Sequence, residues 1–269
     1  MKLSIVLSTQ PAQFQAATFK GDLEGNLARI SALGYDGVEL AIRDPAAVVA
    51  EDLLDLLLHY RLEAPAVGTG QAWGEEGLSF TDPDSRIRRA AIERLKAHLP
   101  LAARLGSVVI IGLIRGTLKP GVEQGQAMEW IVAALEECSA AASSLQVRLA
   151  LEPINRYETT LINTVAEGLD LIEQVGADNF GLLLDTFHMN IEEPSIEESL
   201  VRAGERIFHF HAADSNRWYP GAGHLDFAGL LSTLKSTGYK GYVSGEFLPI
   251  PDAASAAAEA IAHLRACLP

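Results

Sequence analysis

Eight short apolar runs recur about every 30 residues along the 269-residue chain, and this rhythm constrains the fold more than any single motif. They are Leu3–Leu7, Gly37–Ile42, Ala64–Gly68, Val108–Gly112, Val147–Leu151, Phe180–Leu184, Ile207–His211 and Gly241–Gly245. Stretches with helical spacing lie between them, such as Leu27, Ile30 and Leu33, or Leu230, Leu231 and Leu234. Strands that are apolar throughout, alternating with helices, make a parallel sheet covered on its faces. Eight units with no break in rhythm favour one closed (β/α)₈ TIM barrel over residues 1–269 rather than an open doubly wound sheet. Gly34, Gly106, Gly176 and Gly238 fall near helix ends, where a left-handed cap is expected. Asp82-Pro83 reads as the start of another helix.

The length is high for an average domain but ordinary for an α/β barrel of about 250 residues. A net charge of −14 argues against a nucleic-acid partner, because phosphate binding needs clustered Lys and Arg. No run approaches the ~18 apolar residues that cross a bilayer, so no membrane partner is expected. Met1 leads directly into the first strand, and no separate leader pattern is visible. With Cys138 and Cys267 far apart in helical patterns, the expected setting is cytoplasmic, with two unpaired thiols.

Barrel enzymes carry their chemistry at the C-terminal ends of the strands, so the strand assignment is also a site prediction. Those ends hold Glu39 and Arg43, then Gly68-Thr69-Gly70-Gln71, Arg115, Glu152, Asp185 with His188, His211 through Arg217, and Glu246. Glu152, Asp185, His211 and Glu246 sit one each on strands five to eight, spaced by 33, 26 and 35 residues. Neighbouring strands are about 4.8 Å apart, so four consecutive ends can converge on one ion. Three carboxylates and one imidazole suit a divalent cation such as Mn²⁺, Mg²⁺ or Co²⁺ better than tetrahedral zinc. Acids at strand ends also cap helices or pair with arginines, which is the plainer reading of any one of them alone. Two of the four are glutamates, three strands apart around the barrel. A substrate between them presents opposite faces to two proton carriers, as inversion beside a carbonyl requires. A metal would stabilise the intervening enediolate.

These residues carry a resemblance. Leu151-Glu152-Pro153-Ile154-Asn155-Arg156-Tyr157-Glu158, Asp185-Thr186-Phe187-His188-Met189-Asn190-Ile191-Glu192-Glu193, His211-Ala-Ala-Asp-Ser-Asn-Arg217, Pro220-Gly-Ala-Gly-His-Leu-Asp226 and Gly245-Glu246 are similar to segments of the ketose 3-epimerases. These are the tagatose and psicose epimerase type within the xylose-isomerase-like barrel superfamily, and the likeness spans essentially the whole chain. It implies that Glu152, Asp185, His211 and Glu246 bind the metal, Mn²⁺ foremost, and that Glu152 and Glu246 are also the acid/base pair. It implies that His188, Arg217 and Glu158 contact the sugar, and that the protein is a homo-oligomer, dimeric or tetrameric.

The chain departs from that pattern at the end of strand four, where Arg115 follows Gly112-Leu113-Ile114 in place of a small, glycine-rich segment. An arginine fork suits a carboxylate. The departure resembles the 5-keto-L-gluconate epimerase subgroup and leads to the expectation of a keto-sugar acid, its carboxylate held by Arg115 with help from Arg43 or Gln71. Alternative readings are an aldose–ketose isomerase such as a hydroxypyruvate isomerase, a dehydratase of the inosose kind, a metal-dependent DNA-repair endonuclease, and a non-catalytic sugar-binding barrel.

Overall fold

The computed structural model describes residues 1–269. Eight parallel strands form the barrel: β1 (Lys2–Ser8), β2 (Gly37–Ala41), β3 (Ala66–Gly68), β4 (Val108–Ile111), β5 (Leu149–Leu151), β6 (Phe180–Asp185), β7 (Ile207–Ala212) and β8 (Tyr242–Gly245). Each pairs with the next, and β8 closes onto β1 with Lys2 opposite Tyr242 and Ile5 opposite Gly245. A two-residue strand, Phe19–Lys20, adds to the far end of β1. The closed (β/α)₈ barrel expected from the sequence is the architecture observed.

The strands alternate as their period of two requires. Leu3, Ile5, Val38, Leu40, Val109, Ile111, Leu149, Leu151, Leu182 and Leu184 belong to the main core, together with residues of the surrounding helices such as Leu27, Ile30, Leu95 and Leu231. A second, smaller cluster of Ala66, Val108, Ile110, Ala150 and Leu183 contains the residues of the opposite phase and fills the barrel interior. Among the inward positions nearer the strands' C-terminal ends, Glu39, Glu152, Asp185, His211 and Glu246 are polar and buried. That change from apolar to charged along the barrel axis marks the site.

Helix ends follow the expected glycines. Gly34, Gly106 and Gly176 cap their helices with φ of 90°, 69° and 65°, and Gly238 has φ 86° just past the helix Phe227–Ser236. The helix expected to start at Asp82-Pro83 begins two residues later, at Ser85. Asp84 is its N-cap, accepting from the Arg86 amide, while Asp82 accepts from the Asp84 amide in the preceding turn. No helix is long and apolar enough to cross a membrane.

Candidate active site

The ends of β5 to β8 bring four side chains to one point. One ligand atom each from Glu152, Asp185, His211 and Glu246 lies within 4.8 Å of all the others. His211 Nδ1 is central: it is 3.8 Å from Glu152 Oε1, 3.7 Å from Asp185 Oδ2 and 3.8 Å from Glu246 Oε2. Local structure aims each group. Asp185 ends β6 and caps the short helix that follows, accepting the Phe187 amide on Oδ1 at 2.7 Å and leaving Oδ2 free. The Glu152 amide donates to Ile111 O, and the Glu246 amide donates to Ala212 O, which continues the strand ladder to the carboxylate-bearing residues.

Glu152 Oε1, Asp185 Oδ2 and His211 Nδ1 are buried with no hydrogen-bond partner. Buried polar atoms are rarely left unpaired, and three of them facing one another make a place that a shared proton or a bound cation would satisfy. The donor set of three carboxylates and an imidazole fits a hard or borderline divalent ion. The electrostatics agree. Burial, with the nearby Glu246 carboxylate, pushes the Glu152 carboxyl well above its ordinary range. Burial also raises Glu246 to about 7, although His211 and Arg217 oppose it. Burial works against ionisation of Asp185 as well, but His188, His211 and Arg217 outweigh it and hold that carboxyl at about 2. For His211 burial opposes the charged form, yet the Glu39 and Glu246 carboxylates win and raise it well above its usual value. The same negative field would favour a divalent cation among these four groups.

Above this cluster lies a cavity of about 230 Å³. Glu152, Glu246, His211, His188, Arg217, Glu158 and Gln71 line it, and Phe14, Trp73, Leu113 and Ile154 give it apolar walls. Arg217 has φ 61°, a left-handed conformation uncommon for a residue with a side chain. Asp214 holds that turn by accepting the amides of Ser215, Gly221 and Leu225. Arg217 Nη1 donates to Glu158 at 2.6 Å, and Nη2 is 3.6 Å from Glu246 Oε2. His188 is buried and held neutral, its value lowered to about 4 chiefly by burial. Its Nδ1 accepts from Asn155 Nδ2 at 2.7 Å, so its Nε2 carries the proton and faces Glu152 Oε1 at 3.6 Å.

Two expected substrate contacts are elsewhere. Arg115 is fully buried and does not line the cavity. Its guanidinium donates to the carbonyls of Gly112, Leu161 and Ile162, so the fork is engaged with backbone outside the cavity. Arg43 is outside the cavity as well, 3.7 Å from Glu76 Oε1, where it has a protein partner. Gln71 is at the cavity as expected. Its Nε2 donates to Ser8 Oγ and its Oε1 has no partner.

Three residues at the site had no role in the sequence reading. Glu39 was visible as an acid at the end of β2, but its partners, His209 and His211, are more than 160 residues away in sequence. Asn155 lies inside a quoted motif and links His188 to Glu158, donating to both. Phe14 comes from the loop after β1 and has no sequence signal.

Residues 27–267 match the family model described as "Xylose isomerase-like TIM barrel". The L-ribulose 3-epimerase of Methylomonas sp. strain DH-1 is 34% identical over 216 residues, covering 79% of this chain and 74% of the relative. The D-psicose 3-epimerase of Enterocloster bolteae is 31% identical over 231 residues, covering 82% and 75%. A solved L-ribulose 3-epimerase structure superposes with a TM-score of 0.85 at 28% identity, covering 99% of this chain and 95% of that one. Epimerases of this kind are isomerases that act on sugars. With fold, site geometry and sequence in agreement, the chain belongs to the xylose isomerase-like TIM barrel family, among relatives named ketose 3-epimerases.

Proposed function

We propose that this protein is a divalent-metal-dependent epimerase that inverts the carbon next to the carbonyl of a small neutral ketose. The observation that carries the proposal is the convergence of Glu152 and Glu246 with Asp185 and His211 at the floor of a buried cavity. Mn²⁺ is the ion we favour for the four side chains, with Co²⁺ and Mg²⁺ as alternatives. A bound divalent cation would supply Lewis-acid polarisation of the substrate oxygens.

The protein's own part is to move one proton off the sugar and another back on. One glutamate carboxylate takes the proton from the carbon beside the carbonyl, and the electron pair left behind passes toward the carbonyl oxygen. The other glutamate, as its acid, returns a proton to the opposite face. The His188 Nε2–H and the Arg217 guanidinium are donors for substrate oxygens, and Glu158 keeps Arg217 over the cavity. Gln71 Oε1 is a free acceptor for a sugar hydroxyl. Phe14, Trp73, Leu113 and Ile154 give the cavity apolar walls against which the sugar's carbon face can pack.

A neutral substrate fits better than the keto-sugar acid expected from Arg115. Arg217 is the one Arg or Lys lining the cavity, and it is already placed between two carboxylates. Glu39, Glu75 and Glu158 add further negative charge to the lining. Apart from the cation at the floor, a substrate carboxylate would find no free guanidinium in this lining and would face these carboxylates instead.

The test is a panel of neutral ketoses and keto-sugar acids in D₂O, followed by NMR, with and without a chelator. Deuterium at the inverted carbon of a neutral ketose, lost with chelator and restored by Mn²⁺, supports the proposal. An aldose product would make the protein an isomerase instead, and the absence of any exchange would make it a binder. The cytoplasmic setting and the dimeric or tetrameric assembly belong to the same proposal. Light scattering on the purified chain checks the assembly.

A further inference from the structure

Behind the cluster just described lies a second group of buried titratable side chains for which the proton-transfer scheme has no use. Glu39 projects inward from β2, and His209 and His211 project inward from β7. All three are essentially closed to solvent. His209 Nε2 is 2.8 Å from Glu39 Oε2, and His211 Nε2 is 2.9 Å from the same oxygen and 3.1 Å from Oε1. The two imidazole rings meet nearly edge to face, with centroids 5.4 Å apart and planes at 81°.

An ionised carboxylate can only accept hydrogen bonds, so both imidazoles must turn an Nε2–H toward Glu39. A bound cation would displace the Nδ1 proton of His211, and the neutral imidazole that remains has one N–H. With the proton on Nε2, the lone pair of His211 is on Nδ1, the atom that faces Glu152, Asp185 and Glu246. We infer that Glu39 is a positioning residue for the metal centre: it fixes the tautomer and ring plane of His211 so that Nδ1 presents its lone pair, and His209 in turn fixes the carboxylate of Glu39. This inference rests on the metal reading of the site given above. The chemistry is that of a carboxylate–histidine–metal relay, in which loss of the outer partner weakens metal binding about 10- to 100-fold.

The three groups are also close enough to chelate an ion themselves, with one ligand atom each within 4.8 Å of the others. Two observations favour a hydrogen-bonded trio over a second metal site. The Nε2 atoms are already at hydrogen-bond distance from the carboxylate, and only three ligands are present.

The experiment is a calorimetric titration of the metal-stripped full-length chain with Mn²⁺, for wild type, Glu39→Gln and His209→Asn. Metal content is then measured by elemental analysis, and the visible absorption of the Co²⁺-loaded chains is recorded. In Glu39→Gln an amide N–H replaces one acceptor and opposes an imidazole N–H. The expected results are one ion per wild-type chain, Mn²⁺ binding weakened 10- to 100-fold in Glu39→Gln, and a smaller loss in His209→Asn. The Co²⁺ band should shift in Glu39→Gln, which a defect confined to folding would not produce. Wild-type affinity and an unchanged Co²⁺ band in Glu39→Gln overturn the inference and leave the metal centre standing. If that variant fails to fold, wild-type affinity in His209→Asn has the same force. Two ions per wild-type chain, the second lost on Glu39→Gln, would make the trio a metal site instead. A wild-type chain that takes up no Mn²⁺ overturns the metal reading and this inference together.

Discussion

Arg217 Nη1 donates to Glu158 at 2.6 Å, a bond that joins the loop after β7 to the loop after β5 across the mouth of the cavity. Both groups are partly buried, so the pair is worth more than an exposed one. Glu158→Gln removes the charge and lets the guanidinium swing toward Glu246, which is 3.6 Å away. A hydrogen bond to a charged group contributes about 1.5–3 kcal/mol. We expect kcat/KM for the preferred ketose to fall ~10- to 100-fold, measured by steady-state kinetics. Unchanged kinetics would remove Glu158 from the substrate-binding set.

Glu152→Gln and Glu246→Gln each keep the size of the side chain and remove its proton-carrying capacity. General acid–base groups contribute about 10²- to 10⁴-fold, and loss of a carboxylate from the cluster adds to that. Each variant should lose at least 10²-fold in epimer formation. Deuterium exchange into substrate separates the roles: the variant lacking the proton-removing residue exchanges nothing from that epimer. A variant that keeps the full rate is not one of the proton carriers.

Arg115 donates to three carbonyls, two of them in the segment that leads from Glu158 into the next helix, so it acts as a latch. Arg115→Met leaves buried acceptors unpaired, at a cost of about 1–3 kcal/mol for such a group. We expect a loss of ~2–4 kcal/mol in urea unfolding. Any loss of turnover should be the same for neutral ketoses and keto-sugar acids. A selective loss on the acids would restore the substrate-binding role expected from the sequence.

On the surface, Glu137 accepts from Arg89 at 2.6 and 2.7 Å and from Lys96 at 3.1 Å. The hydrogen bond from Arg89 is the main cause that holds its carboxyl at about 2, below the ordinary ~4.3 of an unfolded glutamate. A depressed folded value means stability that is present above ~4.3 and lost as the pH falls toward 2. Glu137→Gln should therefore unfold at lower urea than wild type at pH 7, by no more than the ~1 kcal/mol of exposed pairs. The gap should close between pH 4.3 and 2, as urea midpoints across that range will test. A gap of constant size would assign the effect to packing.

The barrel was legible because its strands are apolar on both faces and end abruptly in charge. Asp185 directly follows Leu184, and Glu152 directly follows Leu151. An inward-facing acid at that point has few uses apart from a site. Arg115 shows where such reading stops. Its position after β4 matched the other strand ends, but one turn of tight helix, Leu113–Arg115, rotates the side chain away from the cavity. Glu39 shows the opposite failure. One carboxylate on an apolar strand is ambiguous until the fold brings His209 against it, and no local spacing encodes that meeting. The two-residue error at Asp82 has a local cause, because Asp82 and Asp84 are both competent caps and the preceding turn uses the first.

The seam between β1 and β8 gives the molecule a particular assembly history. Lys2 through Ile5 must meet Tyr242 through Gly245 before the cylinder exists, and Glu246 is the next residue along. The first of the four clustered side chains, Glu152, lies past the midpoint of the 269-residue chain, and the last, Glu246, reaches its place only when head and tail are joined. Contacts of such separation form slowly. If the four groups hold a divalent cation as proposed, its uptake during refolding reports ring closure and offers a clock for the final step.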